Sequence, residues 1–259
     1  MCRKETTSVQ RLPSGEAMIQ DETPLRVSVV CDNVVHDPHL APHWGFSCYV
    51  EGLQKSILFD TGGDGTILLS NLEILAIPPQ DVEVLFLSHI HWDHVGGVEA
   101  LLSQNPEVEV WIPQSFPAEF RSHVEAVGAR CKELSNSVLM CRSVYSTGEL
   151  GNTTLEQSLI ITSAAGLVLI TGCAHPGIVE VVKTAKRLFP RNVYLVLGGF
   201  HLLDRSEEEI REVIRQFQNL GVKKVAPSHC TGERAQDLFE AAYGDEYIRI
   251  GTGARIGIE

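Results

Sequence analysis

The chain has 259 residues, 44% of them hydrophobic and 21% charged, which is the composition of a globular protein and excludes a fibrous or wholly disordered one. A formal net charge of -12, without any lysine- or arginine-rich run, disfavours nucleic acid as a partner. Seven cysteines without a framework spacing, no export signal and no apolar run long enough to cross a bilayer together predict a reduced, cytoplasmic protein that does not bind membranes.

The N-terminal part of the chain predicts a tail followed by strands. Residues 1–24 mix small, polar and charged side chains without periodicity, so we expect a disordered tail and a single domain over residues 25–259. Apolar runs predict strands at residues 25–30, 43–50 and 56–59. The last of these ends at Asp60 before a glycine pair, where a carboxylate can either close a turn or accept hydrogen bonds from neighbouring loops.

The most informative stretch follows a predicted helix at 66–75 and a strand at 82–87. Residues 88–97 read Ser-His-Ile-His-Trp-Asp-His-Val-Gly-Gly. Imidazole and carboxylate groups are the ligands that zinc and neighbouring transition metals prefer. Side chains alternate along an extended chain, so His89 and His91 can clamp one ion, and Asp93 and His94 would face a second. The stretch therefore predicts a metal site at the end of a buried strand.

The central part of the chain is less regular. We predict a helix beginning at residue 98, a strand at 108–112, a helix at 117–127 and a strand at 138–144. The long segment 113–152 lies between motifs rich in possible ligands, and such a segment could form a lid over a substrate.

Three further histidines follow predicted strands. A hairpin at 155–162 and 167–171 ends in Gly-Cys-Ala-His-Pro-Gly, which contains Cys173 and His175. A strand at 193–197 runs into Gly-Gly-Phe-His with His201, and a short strand at 224–226 runs into Pro-Ser-His-Cys with His229. Ligands often lie at the carboxyl ends of sheet strands, so we expect these side chains to converge at one edge.

The remaining elements predict the fold class. Residues 178–189 form an amphipathic pattern, Ser206 and Glu209 form a capping box, and Gly221 ends that helix. A helix at 234–243 and a strand at 247–250 complete the chain. Strands that alternate with helices and hairpins predict an α/β domain with sheets inside and helices outside.

These motifs resemble those of the metallo-β-lactamase superfamily. The similarity rests on Asp-Thr-Gly at residues 60–62, on His-x-His-x-Asp-His at 89–94 and on the later histidines, and it extends from about residue 25 to the C-terminus. The later motifs resemble the branch that includes the archaeal dihydropterin–aminobenzene phosphate synthase and many uncharacterised hydrolases. The resemblance implies an αββα sandwich with two divalent metal ions between the sheet edges, most simply zinc, with manganese, iron or nickel as alternatives.

The resemblance also implies roles for individual residues. The expected metal ligands are His89, His91, Asp93, His94, His175 and His229. Cys173 stands where most relatives have an aspartate, so its thiolate could ligate instead of His175. Asp60 would support the ligands from behind. His201 would protonate a leaving group, bind a substrate oxyanion or make a structural hydrogen bond.

Three functions are consistent with this reading. Two ions that share a water lower its pKa and polarise the oxygen under attack, so with Asp93 and His201 as catalytic residues we expect hydrolysis of a small-molecule phosphodiester, lactone or ester. The branch suggests instead a synthase that joins a pterin diphosphate to an aminobenzene ribose phosphate, although the chain is acidic. A non-hydrolytic metal or redox protein is the third, although His91 stands where diiron relatives usually have a carboxylate. The oligomeric state is left open.

Overall fold

The computed structural model describes residues 24–258, so the predicted tail, apart from Pro24, lies outside the described residues. Seven strands form the first sheet: β1 Leu25–Cys31, β2 Ser47–Glu51, β3 Ile57–Phe59, β4 Val84–Phe86, β5 Glu109–Pro113, β6 Arg130–Leu134 and β13 Arg255–Ile258. Their spatial order is β13-β1-β2-β3-β4-β5-β6. The pairs from β13 to β3 are antiparallel, and those from β3 to β6 are parallel.

Six strands form the second sheet. They are β7 Asn136–Cys141, β8 Val144–Gly148, β9 Leu159–Thr162, β10 Leu167–Thr171, β11 Val193–Gly199 and β12 Val222–Ser228, in the spatial order β12-β11-β10-β9-β8-β7. The pairs from β7 to β10 are antiparallel, whereas β10, β11 and β12 run parallel. Each sheet therefore has one parallel part, whose strands end in the same direction.

Seven α-helices cover the sheets within the described chain. They are α1 Gly65–Ile74, α2 Trp92–Val95, α3 Val98–Gln104, α4 Ala118–Ala126, α5 Ile178–Leu188, α6 Glu207–Asn219 and α7 Glu233–Tyr243. The predicted capping box is present at the start of α6, where Ser206 and Glu209 exchange hydrogen bonds. Gly221 follows that helix with a φ of 73°, a conformation that glycine adopts without strain.

The alternation of side chains along the strands produces three apolar cores. In β4, Val84 and Phe86 enter the core between the two sheets, and Leu85 enters the core against α1, α3 and α4. In β10, Val168 and Ile170 enter the central core and Leu169 enters the core against α5, α6 and α7. Strands buried on both faces read as continuous apolar runs, which is why the sequence shows them so clearly. Four layers result, and the predicted αββα sandwich is confirmed.

Some predicted elements were wrong. Residues 247–250 are not a strand: Tyr247 makes a single bridge to Val225. The last strand is β13, which pairs with β1 so that Ile258 lies opposite Leu25. The predicted strand at 138–144 is the hairpin β7–β8, which turns at Ser143 with a φ of 66°. β6 escaped prediction because it is an edge strand with mostly exposed side chains and no apolar period. No helix within residues 24–258 combines the length and apolarity that a bilayer span requires.

Candidate metal centre

The 88–97 stretch changes backbone conformation in its middle. Residues just after β4 are extended, His91 is the N-cap of α2, and α2 carries Asp93 and His94 in a single helical turn. His89 and His94 are fully buried, whereas His91 is exposed. The change from extended to helical backbone presents His89 and His91 to one group of ligands and Asp93 and His94 to another.

The first group of donor atoms consists of His89, His91 and His175. One ring nitrogen of each lies within 4.8 Å of the others. His89 Nε2 lies 3.1 Å from His91 Nδ1, and the ring centroid of His175 lies 4.8 Å from that of His89 and 4.8 Å from that of His91. His175 follows β10 in the second sheet, so this group joins the two sheets.

The second group consists of Asp93, His94 and His229. The Asp93 Oδ2 atom lies 3.3 Å from His229 Nε2 and 3.8 Å from His94 Nε2. His229 follows β12, again in the second sheet. The structure therefore brings all six predicted histidine and aspartate ligands together in two groups, and their ligation of metal stays a prediction.

Cys173 lies between the two groups. Its Sγ atom is 3.2 Å from His94 Nε2, and with His89 and His94 it forms another set of donor atoms within 4.8 Å. Cys173 and His175 thus reach different neighbours. The sequence left open whether Cys173 or His175 is the third ligand of the first ion. In the structure the two residues do not compete for one position, because His175 lies beside His91 and Cys173 lies beside His94.

Asp60 lies behind the two donor groups, in contact with Ser88 and His94. Its carboxylate accepts hydrogen bonds from Ser88 N and Ser88 Oγ, both at 2.7 Å, and lies 2.7 Å from His94 Nδ1. All of these atoms are buried. A carboxylate on Nδ1 fixes the imidazole with its proton there, which leaves the Nε2 lone pair of His94 free to bind a metal.

Glu156 is a supporting residue that sequence reasoning missed. Its carboxylate is 1% exposed and accepts hydrogen bonds from the backbone N–H groups of four successive residues, 172–175, at 2.9 to 3.1 Å. Four N–H groups around one carboxylate fix the loop that carries Cys173 and His175. The sequence held no signal for this role, because a single glutamate before a strand is common.

Two other missed residues orient donors from the N-terminal part of the chain. The Asn33 side chain donates to the His229 carbonyl oxygen at 3.1 Å, and its Oδ1 lies 3.0 Å from His229 Nδ1. Trp44 donates from Nε1 to Asp93 Oδ2 at 3.1 Å. Asn33 lies in a loop without periodicity, and the strand predicted at 43–50 gives no sign of this role for Trp44, so only proximity in the fold reveals the two residues.

The backbone is held in an unusual conformation at four positions in this region. Asp60, Ala174, His201 and His229 have φ values of 53°, 59°, 54° and 50°. For residues other than glycine such a left-handed backbone costs about 1 to 2 kcal/mol. The four positions all follow strands that end at this edge, so the strain coincides with the donor groups.

The pKa directions of His89, His175 and Asp93 suit metal binding. Burial, with help from the neighbouring imidazoles, holds the pKa of His89 far below its ordinary value, and burial together with His201 and His91 lowers the pKa of His175 to about 4. Burial alone would lower the pKa of His94, but the Asp60 carboxylate beside it raises that pKa. Burial would raise the pKa of Asp93, but His229 and His94 hold it well below its usual range. Neutral His89 and His175 and ionised Asp93 are the forms that bind metal.

A cavity of about 420 Å³ opens onto the donor groups. Its walls come from both sheets and consist of Trp44, His91, Asp93, Cys173, His175, His201, Leu203, Asp204, Arg205, His229 and Cys230. None of residues 113–152, all of which the structure describes, lines this cavity. That segment, which the sequence left open as a lid, is built into β6, β7, β8 and α4. The loop after β11 supplies the cavity wall instead.

The donor set fits divalent metal ions. His175 Nε2 is buried and has no hydrogen-bond partner within residues 24–258, and His229 Nε2 makes no aligned hydrogen bond despite its 3.3 Å distance to Asp93 Oδ2. Leaving such nitrogens unpaired costs about 1 to 3 kcal/mol each, which a bound cation would remove. Imidazole, carboxylate and thiol donors of this kind favour zinc and its neighbours over magnesium or calcium.

Comparison with known proteins agrees with this geometry. The sequence profile of the family described as the metallo-beta-lactamase superfamily matches residues 45–229. The 7,8-dihydropterin-6-methyl-4-(beta-D-ribofuranosyl)-aminobenzene-5'-phosphate synthase of Methanocaldococcus jannaschii is 29% identical over 265 residues, which cover 82% of this chain and 90% of the synthase.

Two proteins named as hydrolases also match. The hydroxyacylglutathione hydrolase of Salmonella paratyphi B is 24% identical over 213 residues, which cover 71% of this chain and 77% of that enzyme. The crystal structure of a metal-dependent hydrolase of the β-lactamase superfamily superimposes with a TM-score of 0.78 at 27% identity, covering 90% of this chain and 99% of that chain.

Proposed function

The chain belongs to the metallo-β-lactamase superfamily, and on this premise we propose that it is a metal-dependent hydrolase of a small-molecule phosphodiester, lactone or ester. One observation carries the proposal: both groups of donor side chains have members on the wall of a single cavity of about 420 Å³, His91 and His175 from the first and Asp93 and His229 from the second. A cavity of this size suits a small molecule. The similarity to two proteins named as hydrolases supports the same reaction class.

The cofactor in this proposal is a pair of divalent ions, zinc in the first place and manganese, iron or nickel as alternatives. The residues that would hold them are His89, His91, Asp93, His94, His175 and His229, with Cys173 available between the two groups. When bound, ions at such donors lower the pKa of water and polarise the oxygen under attack.

Asp93 and His201 would act directly on the reactants. The Asp93 carboxylate lines the cavity, and the Trp44 indole fixes its orientation, so it can accept a hydrogen bond from the attacking water and direct that water at the substrate. His201 is exposed on the cavity wall, and its ring centroid lies 4.4 Å from that of His175. An imidazole in this position can donate a proton to the departing oxygen.

The test is a set of phosphodiesters, lactones and esters offered to the purified, zinc-loaded chain. We expect turnover of at least one class, and we expect His89→Ala to lower kcat/KM by more than about a hundredfold, because it removes a ligand of the catalytic centre. His123→Ala is the matched control, since His123 is an exposed histidine of α4 that pairs with Glu99. Unchanged activity in His89→Ala, or no turnover of any class by fully loaded protein, would refute the proposal.

A second candidate is the synthase reaction, favoured by the match to the archaeal synthase over 90% of its length. The same donors would then hold ions beside a diphosphate leaving group. Against this candidate, Arg205 is the one lysine or arginine that lines the cavity within the described chain, which is little positive charge for two phosphorylated substrates. Incubation with a pterin diphosphate and an aminobenzene ribose phosphate separates the two: a condensed product supports the synthase, and its absence alongside ester hydrolysis supports the hydrolase.

A further inference from the structure

A further group of donor atoms lies beside the two ligand groups and shares only Cys173 with the set that Cys173 forms with His89 and His94. The Sγ atoms of Cys173 and Cys230 and a ring nitrogen of His201 all lie within 4.8 Å of one another. His201 and Cys230 belong to none of the other donor sets. This group therefore involves the two motif residues that the two-ion centre leaves without a ligand role.

Hydrogen bonds hold together the two loops that carry His201 and Cys230. The backbone N–H groups of Leu202 and Leu203 both donate to the Cys230 carbonyl oxygen at 3.2 Å. The Thr231 hydroxyl accepts from the N–H of Phe200 at 3.0 Å. These three bonds flank His201 on both sides along the chain and are received by Cys230 and its neighbour Thr231. The positions of the imidazole and the thiol are thus set by the fold.

Gly199 makes room for the Cys230 thiol. A Cβ atom at Gly199 would lie 2.7 Å from Cys230 Sγ and 2.3 Å from the carbonyl oxygen of Gly172. Contacts this short do not occur in proteins, so any other residue would push the thiol away from β10 and β11. The second glycine of the Gly-Gly-Phe-His motif is explained by this close approach.

The chemistry of the group is that of a thiophilic cation site. Cys173 and Cys230 are 4% and 7% exposed, whereas His201 faces the cavity. Two sulfurs and one imidazole are donors that select zinc over harder cations. Three protein donors with one open side are typical of zinc sites that exchange a ligand, in contrast to the closed set of four in structural sites.

We propose that Cys173, His201 and Cys230 form a third cation site, which binds zinc or another thiophilic divalent ion in addition to the two-ion centre. Binding joins two thiolates and one imidazole nitrogen to the ion and releases the two thiol protons to solvent. Occupation would also remove the His201 nitrogen that donates a proton to the leaving group. That consequence for catalysis rests on the proposed function, whereas the binding itself does not.

The experiment compares zinc content among variants of the full chain. Each protein is loaded with excess Zn²⁺ alone, freed of unbound ion, and analysed for zinc per chain by mass spectrometry. We expect both Cys230→Ser and His201→Asn to hold one zinc fewer per chain than the wild type. Asparagine tolerates the left-handed backbone at position 201, where φ is 54°, so this variant keeps the loop. Cys131→Ser is the matched control, because Cys131 is a half-exposed thiol of β6 outside every donor set.

A spectroscopic measurement distinguishes loss of this ion from general loss of metal. With Co²⁺ in place of zinc, the near-ultraviolet absorption from thiolate to cobalt should fall in Cys230→Ser and stay unchanged in Cys131→Ser. Circular dichroism checks the folding of each variant. If Cys230→Ser does not fold, the result for His201→Asn, at an exposed position, decides the test. Equal zinc content in the wild type and His201→Asn would show that the cluster is a hydrogen-bonded turn and would overturn the proposal.

Discussion

Asp60 connects both ends of the ligand-bearing stretch 88–94 to the end of β3. It accepts two hydrogen bonds from Ser88 and one from His94, and all three partners are buried. One carboxylate with three partners at 2.7 Å can satisfy them only while it remains an acceptor on both oxygens. The orientation of His94 is therefore linked to the charge and shape of Asp60.

Replacing Asp60 with asparagine should weaken both the fold and the centre. The amide oxygen can still accept from Ser88 N, but the amide nitrogen would face two donors, the Ser88 hydroxyl and His94 Nδ1. We expect a loss of about 2 to 4 kcal/mol in the free energy of unfolding and a tenfold to hundredfold lower affinity for zinc, roughly. Urea unfolding and zinc titration measure the two effects.

Asp64→Asn is the matched control for this change. Asp64 caps α1 by accepting from the N–H groups of Thr66 and Ile67, and asparagine caps helices about as well as aspartate. We expect Asp64→Asn to change the free energy of unfolding by no more than about 0.5 kcal/mol. Equal effects at positions 60 and 64 would show that Asp60 has no special link to the centre.

Glu156 gives a second prediction at the same scale. In the wild type one carboxylate oxygen of Glu156 accepts from the N–H groups of residues 172–174, and the other accepts from the N–H of His175. In Glu156→Gln an NH₂ group replaces the second oxygen, so two donors face each other at His175 N. We expect about 1 to 3 kcal/mol lower stability and weaker zinc binding. Glu180→Gln, in an exposed ion pair on α5, should leave zinc binding unchanged; a zinc affinity in Glu156→Gln equal to that of Glu180→Gln would contradict the role of Glu156.

The residues found from sequence and those missed differ in a physical way. The sequence reveals His89, His91, Asp93 and His94 because four possible ligand side chains within six positions are rare in a chain. Asn33, Trp44 and Glu156 act through contacts across 196, 49 and up to 19 positions, so no local pattern marks them. Long-range partners of this kind appear only when the sheets are assembled.

Among the strands, β5 contains a buried charge that links stability to pH. Glu109 is 4% exposed, and Lys132 and Lys55 lie 2.8 and 3.3 Å from its carboxylate oxygens. Burial alone would raise the pKa of Glu109, but the hydrogen bonds from Lys132 and Trp111 outweigh it and hold that pKa below 4.5. A depressed carboxylate pKa stabilises the fold above the unfolded value and ceases to do so as the pH falls through the folded value.

Glu109→Gln should therefore destabilise the chain at pH 7 and lose its effect in acid. Solvent around the two lysines screens these interactions, so we expect Glu109→Gln to lower the free energy of unfolding by roughly 1 kcal/mol at neutral pH. The difference between variant and wild type should shrink as the pH falls below about 4.5, the unfolded value. Urea midpoints at several pH values measure this. Glu107→Gln, in the exposed turn before β5, is the control, and a Glu109→Gln effect that grows in acid would have the wrong sign.

The sequence predicted the strands that are buried on both faces better than those that are partly exposed. Strand β4 is apolar throughout and β10 and β11 are largely apolar, because both faces of these strands are covered, and the sequence places them well. β13 was missed because only Ile256 and Ile258 of its four residues are buried. Its identity as a strand depends on β1, which lies more than 220 residues away along the chain.

At the scale of the whole molecule, the donor groups connect the two sheets. His89 and His91 follow β4 of the first sheet, whereas His175, His201 and His229 follow β10, β11 and β12 of the second. Any ion held by residues of both sheets binds the folded state and has no comparable site in the unfolded chain. Metal binding and the packing of the sandwich are therefore thermodynamically coupled.

This coupling predicts that chelation lowers the melting temperature. At a free zinc concentration one hundred times the dissociation constant, each site adds about 2.7 kcal/mol to the free energy of unfolding, and the addition grows with the logarithm of zinc concentration. Calorimetry of the chain with a chelator, and then with graded Zn²⁺, should show a rising melting temperature. His89→Ala should flatten that rise and His123→Ala should preserve it, because only the first removes a donor that joins the sheets. If chelator and zinc gave the same melting temperature in the wild type, the six converging side chains would bind no ion that matters to the folded state.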